Sequence, residues 1–201
     1  MIDELKEELY LYNFLRQLFL KEPSKEFLTE ISRIEITQGA DDPFSKDLLM
    51  IVDEARKNAG RLDEWSEELG LEYTRLFIGP FNPPAIPFAS FYLSESHSLM
   101  TDETIDVRKR YLEAGMSVKE LYNTPDDHIG IELEFIYDLT RRIIALLESG
   151  EQKEASRLFE IKTDFISRHM NLWIPFFADN VRESANTNLF KGAAGMLRGC
   201  I

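Results

Sequence analysis

Apolar side chains recur every three or four residues along almost the whole chain, and that period admits helices and little else. In the first twenty residues Ile2, Leu5, Leu9, Tyr12, Leu15 and Leu18 draw one stripe. Pro23 ends it, and Ser24 is placed to cap a short helix that follows. A turn-rich connector, TQGADDPF at 37–44, leads to Pro43, which opens a helix through Leu48, Ile51, Val52 and Ala55 towards Gly60. Residues 62–77 continue the pattern with Trp65, Leu69, Tyr73, Leu76 and Phe77 on one side. Further helices are predicted from Asp102, capped by Thr101, to Gly115, from TPDDH to Ser149–Gly150, and from 152 to 173. Pro175 should restart the helix at FFADNV, and NLFKGAAGMLRG should form the last one. Alternation of period two is never sustained, and no segment repeats. The chain is therefore expected to be all-α, a single-domain multi-helix bundle over residues 1–201.

One segment breaks the period. GPFNPPAIPFASFYLSESHS, 79–98, holds four of the eight prolines together with Phe81, Phe88, Phe91 and Tyr92. Proline removes amide donors and restricts the residue before it, so the start of this segment cannot be regular helix. Its aromatic content is too high for a solvated linker and predicts an ordered, packed connection.

Charge narrows the partners. Thirty-six acidic against 23 basic side chains leave a formal net charge of −13. Such a surface repels a phosphate backbone, so nucleic acid is a poor partner, and a cationic protein or peptide is a better one. The sole cysteine, Cys200, excludes an intramolecular disulfide and a cysteine-cluster metal site. The N-terminus lacks a basic-then-apolar leader, and no run of uncharged apolar residues is long enough to span a bilayer. The expectation is a cytoplasmic protein without stable membrane insertion. Motifs for phosphate loops, dinucleotide folds, nucleophile elbows and zinc proteases are missing as well.

The densest cluster of ionisable groups is TPDDHIGIELEF, 124–135. Its bland reading is a capping box, with Thr124 as N-cap, Pro125 as first helical residue, and Asp126 and Asp127 in the first turn. His128 is left over, and Glu132 stands one helical turn further on, where it could meet the imidazole. A metal-dependent helical enzyme using Asp127, His128, Glu132 and His169 is one alternative, although no Glu-x-x-His pair of a di-iron bundle occurs. A structural subunit of a larger assembly, with the proline-aromatic segment as interface, is another. His169, flanked by Phe165 and Trp173, reads as a hydrogen-bonded core residue, and His97 as exposed.

In order along the chain stand LEYTRLFIGP (71–80), PFASFY (87–92), Tyr111 with Gly115, PDDHIGIELEFIYDL (125–139) and FISRHMNLWIPFF (165–177). This succession resembles the TorD/DmsD family of redox-enzyme maturation chaperones, with NarJ-type proteins a more distant branch. The resemblance implies an all-helical cytoplasmic chaperone without catalytic turnover and without a cofactor of its own. It would bind the twin-arginine signal peptide, and the body, of a molybdopterin-dependent oxidoreductase subunit, and hold back export until the cofactor is inserted. Monomers and domain-swapped oligomers both occur among such proteins. Binding of a guanine nucleotide stays open, since no phosphate loop is present. The resemblance carries peptide binding onto Leu76, Phe77, Pro87, Phe88, Pro125, Asp127 and His128. Phe88 stands where the dimethyl-sulfoxide-reductase chaperones commonly have tryptophan, a departure that bears on substrate preference. The chemistry of such a peptide, two guanidiniums followed by an apolar run, adds Asp126 and Glu132 as carboxylates and Tyr92 as apolar surface. Because buried charges are costly unless paired, these carboxylates are expected at a rim.

Overall fold

The computed structural model describes residues 1–36, 42–80, 82–117 and 124–201. Its helices are α1 (Ile2–Phe19), α2 (Lys25–Ser32), α3 (Pro43–Asn58), α4 (Leu62–Tyr73), α5 (Ala89–Leu93), α6 (Asp102–Glu113), α7 (Ile129–Ser149), α8 (Gln152–Phe165), α9 (Asn171–Ser184) and α10 (Asn188–Gly199). The described residues form no strand; Phe88 and His128 make an isolated antiparallel bridge. The all-α class is as the periodicity predicts. Most of the 37–44 connector, and Phe81 of the proline-aromatic segment, lie outside the described residues.

Several stops and starts are those written in the local sequence. The Ser24 hydroxyl accepts from the Phe27 amide and caps α2. Asp42 caps α3 ahead of Pro43, its first residue. Gly150 closes α7 in the left-handed region at φ 84°, where a side chain would be strained. Thr101 does precede α6, but its hydroxyl turns to Glu103 instead of accepting from an amide. Pro175 does not restart a helix. It lies inside α9, which continues without a break from the preceding turn, so its missing amide removes one bond from the helix interior. A π-turn, Ile166–Met170, leads into α9.

The described residues gather into two compact units, Met1–Leu20 with Phe88–Trp173, and Lys21–Pro87 with Ile174–Ile201. The first is built on α1 packed along α7. Leu5, Tyr12, Leu15 and Leu18 of α1, and Ile129, Leu133, Ile136 and Ile143 of α7, are all buried. The two helices approach so closely at Gly130 that a Cβ there would stand 2.5 Å from the Leu20 Cα. From α8, the buried Lys162 ion-pairs with Glu8.

The second unit repeats the device with other residues. Here α3 packs on α10, and a Cβ at Gly192 would lie 2.5 Å from the Asp47 carbonyl oxygen. Phe77 sits between Tyr73, Phe190 and Phe177, with ring centroids 4.9, 5.7 and 6.0 Å away. Leu76, at the end of the same helical stretch, is fully buried. A buried glutamate, Glu72, receives the amides of Asn186 and Thr187 just before α10, and the Glu54 carboxylate accepts from the Leu189 amide at 2.5 Å. Carboxylates at a helix start satisfy amides that have no partner within the helix.

Candidate functional site

The PDDH motif does not begin α7 in the way a capping box would. The N-cap is His128, whose Nδ1 accepts from the Gly130 amide at 3.1 Å. Thr124 and Pro125 lie before the helix, and Asp126 and Asp127 form a turn whose carboxylates are drawn to partners far along the chain.

Asp127 acts as a cap for a different helix. Its Oδ2 accepts from the Ser90 amide at 2.7 Å, and its carbonyl oxygen from the Ala89 amide at 3.0 Å. These are the first two amides of α5, whose own N-cap, Phe88, has no side-chain acceptor. Asp127 Oδ1 accepts from the Thr104 hydroxyl of α6 at 2.9 Å. One helical turn along α6, Arg108 Nε donates to Asp126 Oδ2 at 2.5 Å, and a further turn on, the Tyr111 hydroxyl donates to the Asp126 carbonyl at 2.9 Å. Thr104, Arg108 and Tyr111 thus share the face of α6 that reads the two aspartates. The second oxygen of Asp126, Oδ1, is buried with no hydrogen-bond partner among the described residues.

Glu132 belongs to a second knot. Its Oε1 lies 2.6 Å from His169 Nε2, and its Oε2 accepts from the Trp173 indole at 3.2 Å. Tyr92 lies tilted on Trp173, with centroids 5.6 Å apart, and Phe88 stands edge-on to His128 at 5.1 Å. Tyr111, Phe135 and Phe165 continue the aromatic bed.

Burial sets the electrostatics. It pushes the His128 imidazole down to about 4, against a weaker opposing pull from Asp127, so His128 is neutral and free to accept as a cap. Burial also pulls His169 down, but the Glu132 carboxylate outweighs it and the net shift is upward. Burial pushes Glu132 up, with His169 opposing. The pair therefore holds a proton more firmly than either group would in water.

Three expectations need correction. Asp126, Asp127 and Glu132 are fully buried and not at a rim, because each has found donors within the fold. His128 and Glu132 do not meet; one caps α7 and the other binds His169 and Trp173. Thr124 is not the N-cap. The candidates also divide. Phe88, Tyr92, Pro125, Asp126, Asp127, His128 and Glu132 fall in the first unit, whereas Leu76, Phe77 and Pro87 are buried residues of the second. Sequence reasoning missed Ser90, Thr104 and Arg108, and used Tyr111 only as part of the motif succession. The 104, 108, 111 spacing on one face of α6 could have pointed to those three positions, and nothing local marks Ser90. His169 is the hydrogen-bonded core residue expected, and His97 is exposed as expected, its Nδ1 lying 2.8 Å from the Phe91 carbonyl oxygen. Among the described residues no three His, Cys, Asp or Glu side chains are grouped to hold a metal ion.

Residues 41–179 match the family described as nitrate reductase delta subunit, and the chain belongs to that family, the TorD/NarJ family its motifs resemble. Its relatives include the chaperone protein TorD of Vibrio parahaemolyticus, 26% identical over 192 residues that make up 93% of this chain and 87% of the relative. The TorD chaperone of Vibrio cholerae is 25% identical over 200 residues, covering 96% and 87%. That of Vibrio atlanticus is 27% identical over 172 residues, covering 83% and 78%. No helix among the described residues is long and apolar enough to cross a membrane.

Proposed function

We propose that this protein is a cytoplasmic maturation chaperone for the catalytic subunit of a molybdopterin-dependent oxidoreductase. It binds the twin-arginine signal peptide and the body of that subunit while the cofactor is inserted, before export, and it catalyses no reaction. The observation that carries this reading is the family match over residues 41–179, joined to near full-length relatives that are named as chaperones. The chemistry agrees with it. A net charge of −13 suits a ligand with two guanidiniums.

In this reading Phe88, Tyr92 and Pro125, which are partly exposed, offer apolar surface to the peptide. Asp126, Asp127, His128 and Glu132 hold that surface in shape. Leu76, Phe77 and Pro87 act through the packing of the second unit. The protein works as a monomer or as a domain-swapped dimer. Isothermal titration with twin-arginine signal peptides of molybdoenzymes from the same organism tests the proposal. Binding that drops when both arginines become lysine is the expected result. No binding, or no discrimination between arginine and lysine, overturns it.

A further inference from the structure

Helix α6 owes its position to polar ties more than to apolar packing. Of its twelve residues only Thr104, Val107 and Tyr111 are buried, whereas α10, also of twelve, buries seven. Its backbone runs chiefly along the five-residue α5, while the long packed contacts of this unit are those of α7 with α1 and with α8. Val107 and Tyr111 are its apolar anchors, the Tyr111 ring centroid lying 4.5 Å from that of Phe135. The other ties are polar. Thr104 donates to Asp127, and Arg108 and Tyr111 donate to Asp126. Arg110 donates to Asp164 of α8 at 2.8 Å. At the far end of the helix Arg142 of α7 reaches the Ala114 carbonyl at 2.7 Å, and Arg157 of α8 the Glu113 carbonyl at 3.4 Å. The side chains of Arg108, Arg157 and Asp164 are at least 40% exposed, so water and salt reach several of these ties.

The closed arrangement also carries costs. His97 at φ 49° and Met100 at φ 59° are the two non-glycine residues that the described chain holds at positive φ, and both stand just before α6. Gly115, at φ 70°, follows the helix. Asp126 Oδ1, on the carboxylate that Arg108 holds, is buried with no hydrogen-bond partner among the described residues. Lifting α6 would relax both backbone strains and let water reach that oxygen. We infer that α6 is a polar latch. It opens as one unit, with 97–100 and Gly115 as hinges, and uncovers the carboxylates of Asp126 and Asp127 that the closed chain buries. Helix α5 stays in place, because the Ala89 and Ser90 amides are bound by Asp127 itself and not by α6. The latch is a property of the chain alone, so the chaperone reading stands whichever way the test falls.

Hydrogen exchange followed by mass spectrometry on the full chain, without any ligand, tests the latch. Amides of 106–113 should exchange about a hundredfold faster than those of 133–147 in α7, and together rather than from one end. Raising potassium chloride from about 0.01 M to about 1 M should widen that ratio several-fold, because the ties are partly solvated. Carbodiimide coupling of glycine ethyl ester should label Asp126 and Asp127 well ahead of Glu132, which is equally buried but held by His169 and Trp173. Met100→Gly removes strain from the closed state and should slow the exchange of α6 several-fold. Arg142→Gln frees the Ala114 carbonyl and should speed it. Exchange of α6 at the rate of α7, or protection lost progressively from one end, would overturn the latch. So would a ratio indifferent to salt and to Met100→Gly, or labelling of Asp126 and Asp127 no faster than that of Glu132.

Discussion

Replacing Asp127 by alanine should damage stability first and peptide binding only as a consequence. The carboxylate is fully buried and receives the Ser90 amide at 2.7 Å and the Thr104 hydroxyl at 2.9 Å. A hydrogen bond to a charged group contributes about 1.5–3 kcal/mol, and each donor left buried without a partner costs about 1–3 kcal/mol. Counting the lost pair once, Asp127→Ala should cost about 3–5 kcal/mol. For one cooperative transition in a chain of this length that is a fall of roughly 6–20 °C in melting temperature. Asp127→Asn keeps one acceptor for the Ser90 amide and can donate to the Thr104 oxygen, so its loss should be about 1–2 kcal/mol. Thr104→Val removes one donor and should cost a similar amount. Calorimetry or thermal circular dichroism of the three variants and of the Asp127→Asn/Thr104→Val double variant measures the coupling, which should be non-additive. A melting temperature for Asp127→Ala within 2 °C of the wild type would refute the reasoning, since a buried staple cannot be removed without cost.

Other expectations concern protonation and close packing. His128 is lowered to about 4 in the folded chain, below its unfolded value near 6.5, so between those values the unfolded state holds the proton and the native state does not. Its contribution, about 3 kcal/mol, is present above pH 6.5 and lost as pH falls towards 4; His128→Asn, which keeps a cap acceptor, should flatten that acid limb in pH-dependent urea melts. His169 is raised, so its contribution is full below pH 6.5 and declines as pH rises through its folded value; His169→Gln should remove that decline. Gly130→Ala should destabilise by about 1–3 kcal/mol despite better helix propensity, because the new Cβ meets the Leu20 backbone. A chemical-denaturation midpoint equal to or above that of the wild type would show that α1 is not held so close.

The helices were legible because their signals are local. Ser24, Pro43 and Gly150 act within a turn of where they stand, and the apolar period of α7 needs no partner to be read. The motif was misread for the opposite reason. TPDD satisfies every local criterion of a capping box, yet Asp126 and Asp127 spend their carboxylates on Arg108, Thr104 and Ser90, 18 to 37 residues away. Nothing in the spacing of His128 and Glu132 reveals that Trp173, 41 residues on, holds the glutamate. Pro175 does not mark a boundary, because the helix that contains it is carried across that position by its flanking turns. The grouping of the chain into two units was likewise hidden, since helical periodicity reports which face of a helix is buried and not against what.

The central claim, that the chain is a maturation chaperone, is tested most directly by the cofactor content of a client. A molybdopterin-dependent oxidoreductase subunit with a twin-arginine leader, from the same organism, is produced with and without this chain and purified in both cases. Its molybdenum per polypeptide is then measured by elemental analysis. The account predicts a several-fold higher loading when the chain is present. Equal loading with and without the chain, for every such subunit the organism encodes, would contradict it.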